Sequence, residues 1–89
     1  MVTIQGTVSG DVQGVGFRYF IKRHAKNANV IGYAKNLPNK SVEFLLQGEK
    51  KDVNTVIEEI KAGPSFSNVE QVDIKERSEV NTLYSFEIV

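Results

Sequence analysis

The chain has 89 residues, 40% of them hydrophobic and 25% charged, with eleven basic and eleven acidic side chains giving a formal net charge of zero. That length fits one domain over residues 1–89, and the charge balance argues against a nucleic-acid binder held by counterion release. There is no cysteine, which excludes a disulfide framework and thiolate metal sites and is compatible with a reducing cytoplasm.

Val2, Ile4, Gly6 and Val8 alternate with polar residues, a period of two that predicts a half-buried first strand. Gly10-Asp11-Val12-Gln13-Gly14-Val15-Gly16 follows, dense enough in glycine to read as a loop. From Phe17 to Asn29 the period becomes helical. At 100° per residue Phe17, Phe20, Ile21, His24, Ala25 and Ala28 fall within an apolar arc of about 140°. Ile31–Leu37 and Ser41–Gln47 read as a second and third strand joined by a hairpin turn at Pro38-Asn39-Lys40. Val42, Phe44 and Leu46 then point to the core, with Ser41, Glu43 and Leu45 on the other side. Val53, Val56, Ile57 and Ile60 form the apolar stripe of a second helix, stopped by Gly63-Pro64. Val69–Lys75 is a fourth strand, and Tyr84, Phe86 and Ile88 alternate in a short terminal one.

The order is β-α-β-β-α-β with a short C-terminal strand. Each helix has one apolar stripe, so both cover one face of a mainly antiparallel sheet, the α+β, ferredoxin-like sandwich. This architecture carries enzymes, RNA binders and small-molecule sensors alike, so it does not choose a function. No stretch approaches the length of a membrane span, and no His, Cys or carboxylate grouping has metal-ligand spacing. The expectation is a cytoplasmic protein with no cofactor, no metal, no membrane and no nucleic acid as partner.

Two features suggest an anion site. A glycine-rich turn leading into a helix can aim backbone N–H groups into one concavity at the positive end of the helix dipole. The alternative is a plain tight turn; the spacing is neither a Walker loop nor a dinucleotide fingerprint. Arg18 then places a cation in the first helical turn, mildly unfavourable by about 0.3–1 kcal/mol unless an anion offsets it. Its planar fork suits two oxygens of one phosphate; the alternative is an arginine reaching out to water.

Val8-Ser9-Gly10-Asp11-Val12-Gln13-Gly14-Val15-Gly16-Phe17-Arg18 resembles the first signature of the acylphosphatase family. Gly32-Tyr33-Ala34-Lys35-Asn36, continuing through Val42 to Gly48, is similar to the second, and Gly63-Pro64 and the closing alternation also fit. The likeness spans essentially the whole chain. One departure is Lys40, where family members usually carry glycine in the hairpin turn; this bears on the turn type and leaves the chemistry intact.

The resemblance implies hydrolysis of the carboxyl-phosphate anhydride of small acyl phosphates by an oriented water, without metal. Arg18 would bind the phosphate, and Asn36 would position the water. The backbone of Asp11, Val12, Gln13, Gly14, Val15 and Gly16 would form the cradle. Inorganic phosphate would be product and competitive inhibitor of a monomeric enzyme. Asn36 also stands out physically: asparagine is a poor strand residue, and its amide can hold a water without acting as a base. Asp11 is the nearest candidate for a general base by sequence, but a carboxylate beside a bound phosphate would repel it; in its glycine-rich context it reads as a loop residue, and His24 reads as a structural histidine. Lys22, Arg23 and Lys26 make a solvated basic face that could attract anionic substrates. The competing readings are an RNA-recognition module, for which the outward set Ser41, Glu43 and Leu45 offers no aromatic platform, and a regulatory domain that binds an anion without turning it over.

Overall fold

In the computed structural model, residues 1–78 and 83–89 are described. The elements run β1 (Val2–Asp11), α1 (Phe17–Asn27), β2 (Ile31–Asn36), β3 (Val42–Gly48), α2 (Lys50–Ala62), β4 (Asn68–Glu76) and β5 (Phe86–Ile88). The sheet order is β4-β1-β3-β2-β5. The first three contacts are antiparallel, and β5 joins β2 in parallel. This is the ferredoxin-like βαββαβ arrangement with a short added strand.

Both helices lie on one face, as their single apolar stripes require. Phe17, Ile21 and Ala25 of α1 and Val53, Val56, Ile57 and Ile60 of α2 are buried. They meet Val8, Ala34, Val42, Phe44 and Leu46 of the sheet in one core cluster. Helix α1 covers β2 and β5, while α2 covers β1, β3 and β4. The loop from β1 to α1 therefore crosses from one half of the layer to the other.

Several boundaries differ from expectation for local reasons. Helix α1 stops at Asn27, and Asn29 takes a left-handed conformation at φ 58°, as asparagine readily does. Tyr84 lies outside the terminal strand and is 90% exposed, so its place in the alternation was misleading. In the hairpin Lys40 has positive φ, at 74°, and Asn39 does not. Asn39 supports the turn instead, its Oδ1 accepting from the Ser41 N–H at 3.1 Å. Thr3 belongs to the polar side of β1 yet is buried with Gln47 opposite it. Gln47 Nε2 donates to Thr3 Oγ1 at 3.2 Å, satisfying groups whose burial would otherwise be costly.

The helix-free face is a polar lattice. Tyr33 donates its hydroxyl to Glu43 Oε2 at 2.7 Å, Gln5 donates to Glu43 Oε1 at 3.1 Å, and Arg77 reaches Gln5 Oε1. Its tyrosine is thus engaged with a carboxylate.

Candidate phosphate site at the start of α1

Strand β1 shifts register against β4 between Ser9 and Gly10, and such a bulge bends the strand end. The chain then turns through residues 13–16 into α1. Gly14 and Gly16 both have φ 77°, and a Cβ added to either would meet nothing within 4 Å. Their conformation demands glycine, and the side of the loop they form is open.

Gly16 is the N-cap residue of α1. Among the described residues no side chain caps the helix, and its first turn contains no acidic residue. Among the described residues, no hydrogen bond of full geometry engages the N–H groups of residues 13–19; the first well-formed helical bond of this region runs from Phe20 N–H to Gly16 O at 3.0 Å. Unpartnered amides at the positive end of a helix form a natural anion site.

This geometry narrows the expected cradle. Asp11 lies in β1, opposite Asn68 of β4. Val12 donates its N–H to Gly10 O at 3.0 Å and buries its side chain in the core. The Val12 N–H is thus engaged within the chain, while the amides from Gln13 onward have no well-formed acceptor among the described residues. The side chain of Gln13 has a task that no sequence pattern announced. Its Nε2 donates to Leu37 O at 2.9 Å and to Ser41 O at 2.8 Å, docking the loop onto both ends of the β2–β3 turn.

Asn36 is the last residue of β2, half-buried and opposite Val42. By strand alternation it shares the helix-covered face with buried Gly32 and Ala34. Arg18 comes to the same corner from α1: its Nη1 donates to Val89 O at 3.0 Å, and Val89 N–H donates to Ala34 O at 2.9 Å. Asn36 thus stands between Leu37, held by the loop, and Ala34, held by the segment that fixes Arg18. The anchor at Val89 had no sequence signal either. The guanidinium keeps further N–H donors beyond the one engaged with Val89.

His24 sits away from this corner. It packs on Phe20, with ring centroids 4.5 Å apart, and its Nε2 lies 3.7 Å from Glu59 Oε2 of α2. Among the described residues, no group of three or more His, Cys, Asp or Glu is placed to hold a metal, and no helix is long and apolar enough to cross a membrane.

Fold and loop together define a small α+β domain of ferredoxin-like plan whose distinctive feature is an amide-rich turn flanked by an arginine and an asparagine. A model of the acylphosphatase family matches residues 4–88. An acylphosphatase from Archaeoglobus fulgidus is 39% identical over 88 residues, covering 99% of this chain and 98% of that protein. One from Acaryochloris marina is 36% identical over 89 residues, covering 100% and 95% respectively. The crystal structure of acylphosphatase from Bacillus subtilis superposes with a TM-score of 0.95 at 34% identity, covering 100% of this chain and 99% of that one. The chain belongs to the acylphosphatase family.

Proposed function

We propose that this protein is an acylphosphatase that hydrolyses small acyl phosphates to a carboxylate and inorganic phosphate at the corner formed by residues 13–18 and Asn36. The observation that carries the reading is the run of N–H groups beside Arg18 that has no well-formed acceptor among the described residues, in a helix start without a side-chain cap or a first-turn acid there. A dianionic phosphoryl group would accept from these amides and from the guanidinium, offsetting the cost of a cation at the positive helix end.

In the reaction, water oxygen attacks phosphorus while the bond from phosphorus to the carboxyl oxygen breaks. The carboxylate leaves with the electron pair, and the water proton passes to a phosphoryl oxygen of the substrate. An acyl phosphate has a good leaving group, so orientation and electrostatic stabilisation suffice. Asn36 orients the water through its amide. Arg18 and the loop hold the phosphoryl oxygens and stabilise their charge in the transition state. Inorganic phosphate, carrying the same oxygens, competes for the seat. No step requires a metal. We place the enzyme in the cytoplasm as a monomeric domain over residues 1–89, without nucleic-acid or membrane partners, in keeping with its neutral charge and lack of cysteine.

Incubation with benzoyl phosphate in the presence of a chelator is the test. Saturable release of benzoate and phosphate, inhibited by inorganic phosphate, is expected. Phosphate binding without hydrolysis would make the domain an anion sensor, and activity restored only by added divalent metal would refute the metal-free route.

A further inference from the structure

Gly16 belongs to the amide run and also opens a surface groove of about 510 Å³, bounded by Tyr19, Phe20 and Arg23 of α1 and by Pro64 and Phe66 of the α2–β4 connection. Tyr19 is 67% exposed and Phe66 66% exposed. Phe20 forms part of the α1 wall, packed between Phe17 and His24 with centroid separations of 5.6 and 4.5 Å. The groove is therefore aromatic on both sides, with a fixed inner wall and a cation at its rim. Its volume lies within the range of small-molecule sites.

Its position relative to Asn36 gives it a meaning. In displacement at phosphorus, the attacking and leaving oxygens lie roughly in line. Water held by Asn36 approaches from the β2 side, the half of the sheet that α1 covers. The leaving carboxylate must depart on the far side of the phosphoryl group. The α2–β4 connection belongs to the other half of the layer, where α2 covers β1, β3 and β4. The groove continues from the cradle through Gly16 in that direction.

We infer that this groove seats the acyl group, that it favours flat aromatic acyl phosphates over acetyl phosphate, and that Phe66, facing Tyr19 across it, determines that preference. The inference rests on the hydrolase reading above. A benzoyl ring entering from the cradle would lie against the Phe66 and Tyr19 rings, whereas an acetyl group is too short to use them. Aromatic contacts of this kind are worth up to about tenfold in binding.

The test compares kcat/KM for benzoyl and acetyl phosphate, each normalised to its uncatalysed hydrolysis rate, in the parent and in Phe66→Ala and Phe66→Leu. Phe66 is exposed, so neither change opens the core. The parent is expected to favour benzoyl phosphate. In Phe66→Ala the selectivity ratio should fall about fivefold to tenfold, chiefly through KM for benzoyl phosphate. Acetyl phosphate hydrolysis and inhibition by inorganic phosphate should stay within about twofold of the parent. Phe66→Leu, keeping apolar bulk, should retain part of the ratio. An unchanged ratio in Phe66→Ala, or an equal loss on both substrates, would overturn the groove assignment while leaving the hydrolase intact. A parent inert toward both substrates would instead sink the hydrolase reading, and this inference with it.

Discussion

Replacing Gln13 by alanine cuts the two side-chain bonds that dock the loop onto the β2–β3 turn, at 2.9 Å to Leu37 O and 2.8 Å to Ser41 O. A hydrogen bond of this kind contributes about 0.5–1.5 kcal/mol net, so the pair is worth about 1–3 kcal/mol. Neither acceptor is orphaned, because Leu37 O still receives Lys40 N–H at 3.1 Å and Ser41 O still receives Leu37 N–H at 2.9 Å. The desolvation penalty of an abandoned carbonyl is thereby avoided, and the loss should fall in the lower part of the range, about 1–2 kcal/mol. For a domain of this size that is about 4–16 °C in Tm. Turnover should suffer further, since the same bonds fix the cradle against Asn36, and a misplacement of about 1 Å can cost a hundredfold. Gln13→Glu sharpens the test. At neutral pH its carboxylate would face two carbonyl oxygens with no proton to donate, so it should be less stable than Gln13→Ala. Lowering the pH protonates that carboxyl, restores one donor and should narrow the gap. Urea unfolding of the three proteins at neutral and acid pH, with kcat on benzoyl phosphate, measures both effects. An unchanged midpoint and full turnover in Gln13→Ala would refute the docking argument.

Arg18 and Asn36 should separate kinetically: Arg18→Ala is expected to abolish measurable turnover and greatly weaken phosphate inhibition, whereas Asn36→Ala should collapse kcat while phosphate affinity largely survives; parental hydrolysis by either variant contradicts its role. Lys40→Gly should stabilise the protein, because a non-glycine residue at φ 74° costs about 1–2 kcal/mol, of which glycine's greater unfolded entropy takes back about 0.5–1 kcal/mol; a lower midpoint in urea would count against strain at that turn. The Tyr33 hydroxyl is pushed up to about 12 by burial first, then by its hydrogen bond to Glu43 and that carboxylate's charge. The folded state therefore holds its proton more tightly than the unfolded chain, and stability should be lost as pH rises between about 10 and about 12. Tyr33→Phe should flatten that alkaline slope, and an identical slope in both proteins would remove Tyr33 as its source.

The architecture was legible because its signals are periodic. Val42, Phe44 and Leu46, and the stripe Val53, Val56, Ile57 and Ile60, each repeat at the spacing of the element they build, and all are buried. The loop glycines were readable from their crowding between a strand pattern and a helix pattern. What could not be read depends on contacts between residues distant in sequence. Gln13 finds Leu37 and Ser41, and Arg18 finds Val89, only after the sheet has formed. The extent of the free amides was also hidden, since Val12 looks like any loop residue until its N–H turns back to Gly10 O. Phe66 and Tyr19 belong to no apolar stripe, and the groove between them arises from the approach of the α2–β4 connection to the start of α1.

Titration of nitrogen-15-labelled protein with inorganic phosphate, followed amide by amide, tests the central claim most directly. The largest saturable shifts should fall on the backbone N–H groups of residues 13–18 and on the Arg18 side chain, and Arg18→Ala should greatly weaken them. Saturable shifts centred on the helix-free face, or an unperturbed loop at phosphate concentrations that inhibit hydrolysis, would contradict it.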